Sequence, residues 1–254
     1  MAKLSADLSG KVAAVTGSGN GIGKACALAM VENGASVALI DYSAEALEQA
    51  RQEIENRGGN CRTYVCDVTK VDQIKDTFAS IAADFGRLDI LVNSAGVNVQ
   101  QRAEDVTEEA WDKVMNTNAK GTFFCCQAAG KIMMKQNRGK IINLGSAMSV
   151  VGYVKRSSYC ASKGAVAQLT KVLAGEWAPY NITVNTVAPT FIYTPFTEPM
   201  FKDEEFHNDV KRRILLGRVG EVDDVVGAVL YLASDAADFV TGSIMMVDGG
   251  WTAW

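Results

Sequence analysis

The sequence predicts an α/β protein: a doubly wound, seven-stranded parallel sheet with helices on both faces and a small helical lid. Three observations lead there. Short apolar runs rich in β-branched residues alternate with longer segments of helical character. Those runs are apolar almost throughout, as strands buried on both faces must be. No repeat, low-complexity tract or Pro/Ser-rich linker divides residues 1–254, and 48% hydrophobic content lets a chain of this length bury one large core.

The first strand is Val12–Thr16, followed by a glycine-rich loop and a helix from Gly21 to Met30. Ser36–Asp41 is the second strand, and Ala44 to Arg57 the next helix, closed by Gly58-Gly59. Cys61–Cys66 precedes a helix from Val71 to Phe85 that Gly86 ends. Leu88–Asn93, Lys140–Gly145, Thr183–Ala188 and Ile244–Val247 complete the sheet, with long helices expected from Thr107 to Gln136 and from Ser158 to Ala178. One segment, 190–217, breaks the alternation. Three of the four prolines (Pro189, Pro195, Pro199) border a mixed aromatic and charged stretch, Phe191 to Ile214, too long for an ordinary connection. Its expected role is a mobile helical lid that excludes water from a substrate.

Composition removes several classes of function. A net charge of −4 and no basic run give no attraction for nucleic acid or an anionic membrane, and Lys211-Arg212-Arg213 reads as a solvated helix face. Met1 to Gly10 lacks the apolar core of a signal peptide, and nothing approaches a membrane span. The six cysteines fall in core elements without Cys-x-x-Cys spacing, which favours a reduced, cytoplasmic protein. A single histidine, His207, excludes a helical His-Glu-x-x-His zinc site; no metal is expected, and its polar surroundings place it at the surface.

The loop Gly17-Ser18-Gly19-Asn20-Gly21-Ile22-Gly23 follows a strand and opens a helix, the context a dinucleotide site requires. Gly17 permits the tight turn, Gly21 lets backbone approach a pyrophosphate, and Gly23 lets helix and strand pack closely. Ser18, Asn20 and Ile22 line the same loop, whose helix N-terminus offers free N–H groups to phosphate. Asp41, at the end of the second strand, can accept the adenosine ribose hydroxyls and repel a 2′-phosphate, which favours NAD over NADP. Its alternative role is a helix cap, for which Ser43 also serves. Asp67 and Val68 can hold adenine, or Asp67 can cap the next helix.

Tyr159 and Lys163 stand one helical turn apart, downstream of Ser146. A phenol with a free pKa of roughly 10 is a poor base, but an ammonium within ~6 Å favours the phenolate. The ordered motifs Thr16-Gly17-x-x-x-Gly21-Ile22-Gly23, Asn93-Ser94-Ala95-Gly96, Asn118, Ser146 and Tyr159-x-x-x-Lys163 resemble the short-chain dehydrogenase/reductase family over nearly the whole chain. The resemblance implies a Rossmann-type fold and a catalytic tetrad of Asn118, Ser146, Tyr159 and Lys163. Tyr159 exchanges a proton with an alcohol or ketone, Ser146 holds the reacting oxygen, Lys163 lowers the Tyr159 pKa and contacts the nicotinamide ribose, and Asn118 holds a water linking Lys163 to solvent. Asn93, Ala95 and Gly96 brace the sheet and approach the cofactor, while Pro189, Ile192 and Thr194 approach the nicotinamide carboxamide. Two positions depart from the family pattern: Ser94, where a second asparagine is usual, and Thr190, where glycine usually follows the proline.

The expected pocket rim mixes apolar walls (Met148, Val151, Tyr153, Phe191) with Asn98, Gln100, Arg102 and Arg156, which can bond hydroxyls or a carboxylate. Arg102 and Arg156 read first as surface charges. The substrate favoured is a polyol, sugar or sugar acid, by resemblance to gluconate and polyol dehydrogenases. Alternatives are a hydrophobic cyclic alcohol, a 3-oxoacyl thioester, an NAD-sensing scaffold, and a hydrolase using Ser146 with His207, although Ser146 lacks a Gly-x-Ser-x-Gly elbow. The resemblance also implies a homotetramer or homodimer built through the two long helices. Trp251 and Trp254 are costly to leave in water, so they are expected against a neighbouring subunit or, alternatively, against their own.

Overall fold

The computed structural model describes residues 6–253. Seven strands form one parallel sheet in the order β3-β2-β1-β4-β5-β6-β7. They are β1 Val12–Thr16, β2 Ser36–Asp41, β3 Cys61–Val65, β4 Ile90–Asn93, β5 Gly139–Leu144, β6 Ile182–Pro189 and β7 Ile244–Val247. The strand order reverses between β1 and β4, and ligands of such sheets bind beyond the strand ends at that point. The helices are α1 Gly21–Glu32, α2 Ala44–Asn56, α3 Val71–Phe85, α4 Glu108–Met115, α5 Thr122–Gln136, α6 Ser157–Trp177, α7 Glu204–Arg213 and α8 Val222–Ala233.

Strand pleating sorts the core onto two faces. Ala13 and Val15 of β1 pack with α1 and α8 through Cys26, Met30, Val225 and Val229. Their neighbours Val12 and Ala14 face α3, α5 and α6 through Phe78, Ile81, Met133 and Leu173. A third cluster lies past the strand ends and joins Met148, Phe191, Val210, Ile214 and Trp251, with Tyr153 and Tyr159 packed against it.

Three expectations change, and of the two placements open to Trp251 the one within its own chain is seen. The helix expected over Thr107 to Gln136 is interrupted by a π-helical turn, Asn116–Gly121, between α4 and α5. Trp251 is buried against its own chain, its ring 5.4 Å from Phe191 and 5.8 Å from Tyr153; Trp254 lies outside the described residues. His207 is half-buried, with Nε2 2.8 Å from the Tyr193 hydroxyl, because α7 turns it inward onto the lid's aromatic residues. Arg156, expected at the surface, is buried. The lid segment is helical as expected, with a 3-10 turn at Glu198–Lys202 ahead of α7. All six cysteines are free thiols. Among the described residues no helix is long and apolar enough to cross a membrane.

Candidate active site

The β1–α1 loop is shaped by close backbone approach. A Cβ on Gly23 would stand 2.2 Å from the Gly17 carbonyl oxygen, and one on Gly17, whose φ is +66°, would stand 2.9 Å from the Ala95 backbone. Ser18 is buried and donates from both backbone and hydroxyl to the Ile40 carbonyl. Asn20 is the exposed N-cap of α1 and its side chain makes no capping bond; the first turn carries no acidic residue. Those N–H groups are therefore open to an anion, and the cradle has the shape and polarity that a dinucleotide pyrophosphate needs. Ile22 packs into the core beneath it. Thr194 of the lid segment faces Gly21: a Cβ there would lie 3.7 Å from the threonine side chain.

Asp41 ends β2 beside this loop. Its carboxylate accepts from Gly19 N at 3.1 Å and Ser43 N at 3.0 Å, while Ser43 caps α2. Asp41 is therefore not the side-chain cap, and the exposed Tyr42 beside it brings no positive charge. Asp67 turns its carboxylate onto Thr69 N and Oγ1, at 2.9 and 2.8 Å, forming a local turn; Val68 is buried under Gly121. Asn93 is buried and ties β4 to β5, donating to Asn143 Oδ1 at 2.9 Å, so its side chain braces the sheet. Thr16 Oγ1 accepts from Ser94 N and Ala95 N, fixing the chain that leads to Gly96. At the end of β6, Pro189 leads to Thr190, whose buried hydroxyl has no partner; Ile192 bridges to Gly220, and the Thr194 hydroxyl pairs with Thr197.

Asn118 and Lys163 lie beneath Gly96, whose added Cβ would stand 3.4 Å from Asn118 Oδ1 and 3.7 Å from Lys163 Nζ; Lys163 in turn reaches the Tyr159 ring, and Tyr159 is hydrogen-bonded to Ser146. Asn118, in the π-helical turn, accepts from Val97 N and donates to Val97 O and Ser162 Oγ. Both donors of its amide are used, so the side chain has only the second lone pair of Oδ1 to offer a water. Ser146 follows β5 and caps a 3-10 turn, Ala147–Ser149, and its hydroxyl also contacts Met148 Sδ at 3.0 Å. Lys163 is buried, donates to Leu144 O at 2.6 Å and stands 5.7 Å from the Tyr159 ring centre.

The electrostatics differ from expectation. Burial pushes the Tyr159 phenol above its ordinary value, and a Ser146 hydrogen bond and the charge of Arg156 pull it back only in part, so the net shift is upward, opposite to the depression expected from Lys163. Burial lowers Lys163 itself from 10.5 to about 8, because little else offsets the desolvation of its ammonium.

Of the residues expected at the pocket rim, Met148, Tyr153, Phe191 and Arg156 come together past the strand ends. The guanidinium lies over both rings, and Tyr153 is 5.7 Å from Phe191, edge to face. Asn98 has both polar side-chain atoms buried without partners, and so is Oε1 of Gln101, a residue that the sequence pattern does not single out beside Gln100 and Arg102. Arg102 is exposed and paired with Glu104. Ser146 and His207 hydrogen-bond to different partners, which removes the support for a hydrolase.

Residues 17–252 match the family described as "Enoyl-(Acyl carrier protein) reductase". The chain is 42% identical over 244 residues to a 2-dehydro-3-deoxy-D-gluconate 5-dehydrogenase of Bacillus subtilis, covering 96% of this chain and 95% of the relative. It is 41% identical to an NAD-dependent glycerol dehydrogenase of Listeria innocua, covering 97% and 95%, and 41% identical to a 3-oxoacyl-[acyl-carrier-protein] reductase of Thermotoga maritima, covering 96% and 98%. It resembles the crystal structure of a putative 2-deoxy-D-gluconate 3-dehydrogenase from Agrobacterium tumefaciens with bound NADP, with a TM-score of 0.93, 38% identity, and coverage of 99% and 100%.

Proposed function

The chain belongs to the short-chain dehydrogenase/reductase family, and from that premise we propose that it is an NAD-dependent dehydrogenase interconverting a secondary alcohol and a ketone on a sugar acid or polyol. The observation that carries this is the convergence of Tyr159, Ser146 and Lys163 at the strand ends beside the glycine loop.

Gly17 to Gly23 and the N-terminus of α1 would hold the cofactor's pyrophosphate and Asp41 its adenosine ribose. Gly96, Lys163, Ile192 and Thr194 would hold its nicotinamide end. The cofactor, when bound, supplies hydride acceptance for oxidation and hydride donation for reduction. In oxidation the Tyr159 phenolate takes the proton of the substrate hydroxyl; in reduction the phenol returns a proton to the carbonyl oxygen. Ser146 donates to that oxygen as charge develops on it. Lys163, tethered to Leu144 O, presents its positive charge beneath the Tyr159 ring. Asn118 fixes the backbone of Val97 against α6, which keeps the pocket rim in register with the tyrosine.

Asp41 supports NAD, since a carboxylate at that site repels a 2′-phosphate. The similarity to enzymes named for sugar acids and glycerol supports a hydroxylated substrate. Similarity to a 3-oxoacyl carrier-protein reductase favours a second reading, reduction of a thioester; Asp41 and a net charge of −4 speak against NADPH and an acidic carrier. We further infer a cytoplasmic homotetramer or homodimer. The test is a panel of sugar acids, polyols, cyclic alcohols and a 3-oxoacyl thioester, followed at the absorbance of reduced cofactor with NAD and NADP in parallel. Turnover with NAD on a sugar acid or polyol is expected, and turnover on the thioester alone overturns the reading.

A further inference from the structure

Arg156 is 5% exposed and sits one helical turn ahead of Tyr159, at the start of α6. Its guanidinium carbon is 5.5 Å from the Tyr153 ring centre and 5.4 Å from that of Phe191. The cation has few polar partners. Nη2 faces the Met200 sulfur at 3.7 Å, a weak acceptor, and Nε is buried with no partner at all. The charged or ionisable groups acting on it are Tyr159, Tyr153 and Cys160, with no carboxylate among them. Aromatic faces offset part of the desolvation of a cation, but burial of a charge calls for an anion.

The missing anion belongs in the substrate pocket. Arg156 precedes Tyr159 at the start of α6 and lies over Tyr153 and Phe191, in the cluster on which Tyr159 also packs, so an anion bound to it shares that site with the reacting alcohol. A planar guanidinium fork matches a carboxylate in shape and can engage it through two donors. Gln101, whose backbone pairs with Lys155 and Arg156, and Asn98 on the same loop hold further buried polar atoms without partners, of the kind that bond hydroxyls.

Resting on the dehydrogenase reading above, we propose that Arg156 binds the carboxylate of the substrate and that the enzyme acts on a sugar acid in preference to a neutral polyol. The test compares kcat/KM for D-gluconate and D-glucitol, which differ at the carboxylate carbon, in the wild type, Arg156→Met and Arg156→Lys. The wild type prefers gluconate by about tenfold or more. In Arg156→Met that preference collapses, with turnover of gluconate falling about tenfold further than that of glucitol, which itself drops because the charge acting on Tyr159 is lost, and Arg156→Lys restores part of the preference because a point charge replaces the fork. Equal rates on the two substrates in the wild type, an equal loss on both in the variants, or a stronger preference for a sugar phosphate overturns the proposal. Calorimetric titration of D-gluconate and D-glucitol into the wild-type and Arg156→Met enzymes with NADH reads the clamp without turnover. Gluconate binding tighter than glucitol binding, lost in Arg156→Met, supports the carboxylate site even if neither compound is oxidised, and oxidation failing alone counts against the dehydrogenase reading only.

Discussion

The Lys163 ammonium stands 5.7 Å from the centre of the Tyr159 ring, and its one strong hydrogen bond goes to the Leu144 carbonyl. Its place near the phenol therefore comes from the end of β5, and it is held there at a cost. Burial lowers its pKa from 10.5 to about 8, and each tenfold loss of proton affinity corresponds to about 1.4 kcal/mol. Below pH 8 the folded protein carries an ammonium that burial disfavours. Stability contributed through this group is therefore gained as pH rises from about 8 towards 10.5, the range over which the unfolded chain binds the extra proton. Lys163→Met should raise stability at pH 7 by about 1–3 kcal/mol, allowing for the orphaned carbonyl, while turnover is lost. Thermal unfolding with an activity assay checks both; a less stable variant counts against the desolvation argument.

Tyr159→Phe keeps the ring that packs on the third cluster and removes only the hydroxyl. Oxidation should fall by about 10³-fold or more, while NAD binding, read by fluorescence titration of NADH, stays within about twofold. Turnover near the wild-type rate in this variant removes Tyr159 as the proton-transfer group.

The pH profile follows from the direction of the Tyr159 shift. Burial holds the phenol above its ordinary value, so oxidation, which needs phenolate, should climb with pH through the neutral and alkaline range. Reduction, which needs the phenol, should be level at neutral pH and fall only when alkaline. The Ser146 hydrogen bond pulls the pKa down, so Ser146→Ala should move the rising limb to higher pH as well as lower its height by about 10²-fold. A limb that stays in place indicates that Ser146 acts only on the substrate.

Much of this site was legible because it is local. The strand–loop–helix run from Val12 to Met30, the placement of Asp41 with Ser43 as the cap, and the pairing of Tyr159 with Lys163 each depend on residues close in sequence. What escaped depends on distant partners. Arg156 reads as a surface charge until Phe191 joins Tyr153 to enclose it, and His207 reads as exposed until Tyr193 supplies a partner. The π-helical turn at Asn118 leaves no mark in the hydrophobic pattern, because its residues keep helix-like composition; only the packing of Gly121 on Val68 and the bonds from Asn118 to Val97 reveal it.

The proposed preference for NAD rests on Asp41, beside which the exposed Tyr42 brings no positive charge. Asp41→Ser combined with Tyr42→Arg removes the repulsion and supplies a partner for a 2′-phosphate at an exposed position. The ratio of kcat/KM for NAD over NADP should fall by about 10²-fold or more. Because Asp41 also accepts from Gly19 N and Ser43 N, the single change should cost about 1–2 kcal/mol of stability. A wild-type enzyme that already prefers NADP sinks the assignment.

Trp251 tests whether the chain end serves the pocket or only the assembly. Its ring is 8% exposed and touches both Phe191 and Tyr153, the residues over which Arg156 lies. Trp251→Ala should destabilise the protein by about 3–5 kcal/mol, as large-to-small changes at buried aromatic sites do. The cavity lies behind the Phe191 and Tyr153 walls and far from the glycine loop in the sheet order, so KM for the alcohol should rise while KM for NAD stays within about twofold. A milder Trp251→Phe, which keeps an aromatic ring, should recover most of the stability. Light scattering on the same variants separates the two roles: an intact oligomer with a raised substrate KM places Trp251 in support of the pocket, whereas dissociation with an unchanged KM assigns it to subunit contact.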